Sequence, residues 1–261
     1  WFYHEREDHQ VKSLAQLTDI YYRSVGHNAN LLLNFPINLD GKIPALDSIR
    51  AVEWYNVISN DLKDNILKDT KVNVDNERGR EFKAENVIDD DWETYWATED
   101  DYNFGTISFT FDNPVKMNRV VLQEYIPLGQ RVSDFYMEGE LNGEWFKINA
   151  FDTLSTIGYK RIVQVPTTTT TAVRVNIEES EACPVINGFA LFMDNIYTSY
   201  EMSNVPSGEV KPASEPLVVD LGEVKPIRGF VYAPKLNGEG GVIVDYQVET
   251  SDDGHSWTKI S

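Results

Sequence analysis

Between residues 70 and 198 apolar and polar residues alternate in seven short runs, at 106–111, 119–125, 135–141, 145–150, 161–165, 172–177 and 189–193, separated by turn residues. A period of two matches a strand with one buried face, and seven such runs with regular turn signals predict an all-β sandwich or barrel. The five threonines at 167–171 read as a polar loop leading into the 172–177 run.

Residues 1–69 follow a different rhythm. Val11, Leu14, Leu17, Ile20, Tyr21, Tyr22 and Val25 recur at helical spacing, and Gly26 is a natural stop. Leu31-Leu32-Leu33 reads as a buried strand, and after the Asp40-Gly41 turn Asp47 is placed to cap a second helix carrying Ile49, Val52 and Ile58. With Trp1-Phe2-Tyr3 as a preceding apolar run, the order is strand, helix, strand, helix, the mark of parallel α/β architecture. Two units cannot close a barrel, so they read as the last βα units of one. From residue 199 the β pattern restarts, with runs at 217–221, 229–232 and 242–250 and a turn at Ser251-Asp252-Asp253-Gly254. The expected organisation is therefore α/β plus all-β: the end of a (β/α)8 barrel over 1–69, a β-sandwich over 70–198, and part of a second β module over 199–261. The start at Trp1 and the stop within a strand pattern at Ser261 read as the ends of a fragment.

The chain carries 23 basic and 42 acidic residues, a net charge of −19. Such a surface repels phosphate backbones and anionic lipid, which argues against nucleic-acid and membrane partners and leaves neutral ligands such as sugars open. No apolar stretch approaches the ~20 residues that span a bilayer. The single cysteine, Cys183, excludes an internal disulfide and a cysteine-built zinc site. No GxSxG, P-loop, GxGxxG or HExxH pattern occurs.

Two stretches carry a family resemblance. Asp19-Ile20-Tyr21-Tyr22-Arg23-Ser24-Val25-Gly26-His27-Asn28-Ala29-Asn30-Leu31-Leu32-Leu33-Asn34-Phe35-Pro36, with Asp40-Gly41, resembles the end of the catalytic domain of bacterial α-L-fucosidases of glycoside hydrolase family 29. Asp89-Asp90-Asp91-Trp92-Glu93-Thr94-Tyr95-Trp96, with Glu124-Tyr125-Ile126, Gly129-Gln130-Arg131-Val132 and Gly158-Tyr159-Lys160-Arg161, resembles a discoidin (coagulation factor 5/8 type C) module, a group overlapping family 32 carbohydrate-binding modules. The tail resembles part of another such module. The resemblance implies a retaining, secreted or periplasmic enzyme removing terminal α-L-fucose from glycans, with the α-1,3/1,4 branch preferred. The alternative is a non-catalytic, calcium-assisted glycan-binding or adhesion module.

A retaining glycosidase needs two carboxylates about 5–5.5 Å apart, at the C-terminal ends of barrel strands. Glu5, Glu7 and Asp8 read instead as the acidic first turn of the following helix. The resemblance likewise puts the catalytic pair upstream of Trp1, so no catalytic residue is expected in this chain. Trp1 and His4, at a strand end, are candidates for a wall of the sugar pocket. His27 and Asn28, at the opposite pole of the barrel, read as stabilising. Asp89, Asp91 and Thr94 offer hard oxygens in a tight loop, the type Ca²⁺ takes, or equally an Asx turn. The glutamate that family modules add from the last strand is replaced here by Asn187 or Gly188. Tyr102, Tyr125, Gln130, Arg131, Tyr159 and Lys160 fall in loops that either contact glycan or dock the module on the barrel, whereas Trp92 and Trp96 read as core aromatics.

Overall fold

The computed structural model describes residues 3–7, 10–194, 218–225 and 247–260, in two compact units, Trp1–Met202 and Ser203–Ser261. In the first unit, helix α1 (Leu14–Ser24) opens on a capping box: the Ser13 hydroxyl accepts from the Gln16 amide and the Gln16 side chain accepts from the Ser13 amide. It ends where expected, just before Gly26. Helix α2 (Ala45–Asp61) starts earlier than Asp47. Pro44, with fixed φ and no N–H, closes the preceding loop, and Asp47 lies inside the first turn, where its charge suits the helix dipole.

Two further expectations for this segment fail. Glu5–Glu7 is a separate 3-10 turn rather than the first turn of α1, because Ser13 supplies the cap; Asp8 and Trp1-Phe2 lie outside the described residues. Leu31-Leu32-Leu33 is not a strand, and Leu32 is 85% exposed. Among the described residues no strand pairs with it, and an extended run without a ladder partner has nothing to satisfy its backbone.

The β part holds seven antiparallel strands: β1 (Val72–Val74), β2 (Trp96–Ala97), β3 (Gly105–Glu124), β4 (Val132–Leu141), β5 (Glu144–Lys147), β6 (Arg161–Ser180) and β7 (Val185–Phe192). The order is β2-β7-β3-β6-β4-β5, with β1 also on β3. Four predicted strands prove to be the halves of two long ones, and 167–171 is ladder rather than loop, Thr168, Thr169 and Thr170 pairing with Met117, Lys116 and Val115. Bulges at 110–115 and 117–119 bend β3, so its first half pairs with β1 and its second with β7, folding the pleated layer over one core. Trp96, Phe109, Met117, Leu122, Phe135 and Val163 fill that core.

The second bulge also switches the phase of β3. Val120, Leu122 and Glu124 turn inward, while Arg119 and Val121 face outward. That outer face is not solvated. Val121, Ile162 and Phe192 form a second small core with Tyr22 of α1, flanked by Tyr21, Ile58, Leu62 and Ala190. Burial on both faces explains why residues 117–122 are all inaccessible.

In the second unit, β8 (Glu249–Thr250) and β9 (Thr258–Lys259) form a hairpin around the expected turn. Asp253 accepts from the amides of His255 and Ser256, which hold its carboxyl well below the usual range. The run at 217–221 is not a strand over its described part, 218–221, and the run at 229–232 lies outside the described residues.

Candidate functional site

The seam between the helical segment and the sandwich starts with backbone. His27 bridges to Arg161, and the Ile162 amide donates to the Gly26 carbonyl at 2.9 Å, so residues 26–28 extend the β6 edge. Gly26 is required there: a Cβ would sit 2.3 Å from the Tyr22 carbonyl and 3.1 Å from Ile162. Asn28 exchanges two hydrogen bonds with Lys160, its amide donating to the Lys160 carbonyl and its side-chain oxygen accepting from the Lys160 amide at 2.7 Å. His27 Nδ1 meets the Tyr22 carbonyl at 2.9 Å and Nε2 meets Asp152 at 2.8 Å, while Arg161 donates to the same carboxylate at 2.6 Å.

Beneath that edge lies a buried ionic group. Arg119 donates to Asp194 at 2.6 Å, with both side chains inaccessible. The Asn118 side chain clasps Asp194 from both directions, donating to its carbonyl and accepting from its amide. Tyr22 of α1 donates to Asp61 of α2 at 3.3 Å. Burial first, then the negative charge of Asp194, pushes the Asp61 carboxyl up to about 8.

The loops beyond β3 are organised by Glu124, which the sequence places in the Glu124-Tyr125-Ile126 stretch without marking it as a site residue. Its buried carboxylate accepts from the amides of Arg131 (2.7 Å), Val132 (2.9 Å) and Gly158 (2.5 Å), tying the 125–131 loop to the 155–160 loop. The signal was available, since Glu124 shares the inward phase of Val120 and Leu122. Tyr125 stacks on Tyr95 with ring centroids 4.4 Å apart, and Phe82 meets Tyr95 at a tilt, with centroids 5.0 Å apart. Arg131 donates to the Cys183 carbonyl and to its Sγ, which Arg78 also approaches at 3.1 Å. Gln130 is exposed at the tip.

Tyr159 stands on the other flank, stacked on Trp92 at 6.1 Å and 24°. Trp92 is therefore not a core residue: it is 56% exposed, while Trp96 alone is buried, its indole N–H donating to the Asn76 carbonyl. Their places in the chain decide this, because Trp96 lies in β2 whereas Trp92 lies in the preceding loop. Lys160 belongs to the seam, and its partial burial lowers its amine's affinity for a proton. Tyr102 stands apart, edge-on to Phe104, its carbonyl accepting from Thr98. His4 lines a cavity of about 590 Å³ with Tyr3, Glu7, Phe35, Asp47 and Arg50; Trp1 lies outside the described residues.

In the 89–94 loop, Asp89 accepts from the Asp91 amide and Asp91 from the Glu93 amide, both Asx turns. The Thr94 hydroxyl lies 2.7 Å from Asp89 Oδ2 and 3.2 Å from the Asp91 carbonyl. Three hard oxygens thus converge, a donor chemistry that suits Ca²⁺. Among the described residues no group of three or more acidic, His or Cys side chains is placed to hold a metal ion.

An antiparallel β-sandwich with a helical pair docked on an outer strand face is the class of protein this fold defines. Residues 69–193 and 194–261 match the F5/8 type C domain, and the chain belongs to that family. A relative from Oryza sativa subsp. japonica is 30% identical over 84% of this chain and 42% of its own length. The Arabidopsis thaliana protein named α-L-fucosidase 1 is 30% identical over 74% of this chain and 38% of its own. The solved Ruminococcus gnavus GH29 fucosidase in complex with fucose matches with TM-score 0.68 at 31% identity, over 75% of this chain and 39% of that one. The chain thus spans about two fifths of the length of these relatives. Among the described residues no helix is long and apolar enough to cross a membrane.

Proposed function

We propose that this chain is the C-terminal portion of a retaining α-L-fucosidase of glycoside hydrolase family 29, exported and acting on α-1,3/1,4-fucosylated glycans. Residues 1–69 close its (β/α)8 barrel, and the β-sandwich is its accessory module. The observation that carries this reading is the two-sidedness of the helical pair. Ile58 and Leu62 settle on the sandwich, while Leu46, Ile49, Val52 and Tyr55 of α2 stay exposed. An exposed apolar row on a helix whose other end is docked is the surface a neighbouring barrel element would cover.

On this reading the catalytic nucleophile and acid/base belong to barrel strands upstream of Trp1, and His4 and Trp1 wall the fucose pocket. The seam residues, Asn28 and Lys160 foremost, hold the module in register. Tyr102, Tyr125, Gln130, Arg131 and Tyr159 are the loop residues offered to glycan. Asp89, Asp91 and Thr94 take a structural Ca²⁺, with the weak affinity that a low ligand charge gives. The test compares this chain with a protein carrying the complete barrel upstream, on an aryl α-L-fucoside. Turnover only in the longer protein supports the reading; no turnover in either sinks it. Export is checked by cell fractionation, and a purely cytoplasmic product removes that part.

A further inference from the structure

An Asn-Gly step is open to reaction of the chain with itself, because a glycine's backbone nitrogen, with no side chain beside it, can reach the preceding amide. The sequence holds three such steps, at Asn142, Asn187 and Asn237. Asn237 lies outside the described residues, and the structure treats the other two in opposite ways.

Asn187-Gly188 lies inside β7, where Gly188 is in register with Gln123 of β3. A Cβ on Gly188 would sit 2.8 Å from Gln123 Oε1, so the backbone there is both laddered and crowded. Asn142-Gly143 is instead the whole two-residue loop between β4 and β5. Their φ values, +57° and +84°, are those of a type I′ turn. Both residues are exposed, and a Cβ on Gly143 would meet nothing within 4 Å. A ring has room to close there.

The same turn carries a base. The Gly143 amide donates to Glu140 Oε1 at 2.7 Å, and Glu140 Oε2 accepts from the Thr171 hydroxyl at 2.8 Å. The carboxylate is thereby fixed on the one proton that must leave before the Gly143 nitrogen can act as a nucleophile. The distance is within the reach of a general base.

We propose that Asn142-Gly143 is a self-modification site, at which the Gly143 nitrogen attacks Asn142 Cγ while Glu140 takes its proton. The new N–C bond closes a five-membered succinimide. The Cγ–N bond of the Asn142 side chain breaks, and the proton passes from Glu140 to the departing nitrogen, which leaves as ammonia. Water then opens the ring at either carbonyl, giving aspartate or isoaspartate. Isoaspartate runs the main chain through the side-chain carbon and lengthens the turn, so the Leu141–Glu144 and Glu140–Trp145 register fails. Among the described residues β5 pairs only with β4, and conversion therefore frees Trp145 from the Arg174 guanidinium, 4.1 Å from its ring.

The test incubates the 261-residue chain between pH 5.5 and 7 and follows each step by peptide mass and ammonia release. Asn142 is expected to convert about ten times faster than Asn187 or more, and faster than it does in the urea-unfolded chain. Glu140→Gln keeps an acceptor oxygen for the turn but not the basicity, and slows conversion by about tenfold or more. In the parent the rate changes little over this pH range, as a carboxylate base requires; in Glu140→Gln it rises about tenfold per pH unit, as hydroxide requires. Equal rates at Asn142 and Asn187 overturn the site. Slower conversion in the folded than in the unfolded chain overturns it too, making the turn protective. An unchanged rate in Glu140→Gln, or a parent rate that climbs with hydroxide, removes Glu140 as the base and overturns the proposal. The parent's pH profile needs no variant, so it decides the matter even where Glu140→Gln loses the hairpin.

Discussion

The guanidinium of Arg119 lies over the ring of Tyr22, 5.1 Å from its centroid, joining the first helix to the long strand at the centre of the sandwich. A cation on a buried ring would be poorly solvated alone, and Asp194 at 2.6 Å supplies the counter-charge. The seam between helices and sheet is thus both apolar and ionic, and it belongs to the folding core.

Truncating Arg119 should consequently destabilise the whole first unit. Arg119→Ala removes the cation that balances the buried Asp194 carboxylate, with an expected cost of about 3–5 kcal/mol. Chemical denaturation followed by tryptophan fluorescence checks this. A loss below about 1 kcal/mol would show that solvent reaches the pair.

Asp61 makes the seam pH-dependent. Its folded-state pKa, about 8, lies above the ordinary carboxylate value because burial and the Asp194 charge disfavour ionisation. The native state therefore holds a proton that the unfolded chain has released, and stability falls as pH rises between the two values. Asp61→Asn keeps a neutral side chain at every pH. Its thermal midpoint should approach that of the parent at pH 5 and exceed it at pH 8. Parallel midpoints from pH 5 to 8 would refute this.

Glu124 should act on loops more than on fold. Glu124→Gln exchanges a charged acceptor of three backbone amides for one neutral oxygen and an N–H₂ group that cannot accept. About 1.5–3 kcal/mol per charge-assisted bond is at risk. Hydrogen exchange should quicken at Arg131, Val132 and Gly158 together. Acceleration at only one of the three would mean that the loops are held independently.

At Gly158, φ is +69°, and an added Cβ would lie 2.6–2.7 Å from the side-chain atoms of Asn28. Gly158→Ala therefore combines left-handed strain with displacement of the Asn28–Lys160 pairing, costing about 1–3 kcal/mol. NMR shifts spreading to the His27 ring are the expected signature, and shifts confined to residues 156–160 would contradict it.

The 89–94 loop is tested with Tb³⁺, a luminescent stand-in for Ca²⁺, using Trp92 as the antenna. Sensitised emission that Ca²⁺ displaces, with half-saturation of roughly 10⁻⁴–10⁻³ M, is expected, and Asp89→Asn should abolish it. Failure of Ca²⁺ to displace the emission would exclude the site.

Much of this protein is legible in the order of its residues, for a local reason. Ser13 with Gln16, Gly26, the alternation of Ile107 and Phe109, and the Ser251–Gly254 turn each encode structure through neighbours a few residues away, where propensity and periodicity act. What tertiary structure alone decided depends on partners far along the chain. The Leu31–Leu33 run fails as a strand because among the described residues none pairs with it. Four apparent strands merge into β3 and β6 because long-range ladders carry them through the 111–118 and 166–171 bends. Trp92 and Trp96 are chemically identical and four residues apart, yet one is exposed on Tyr159 and the other buried under β3. The pairing of Arg119 with Asp194, 75 residues away, carries no sequence signal either, because only the folding of helices onto sheet makes that charge pair necessary.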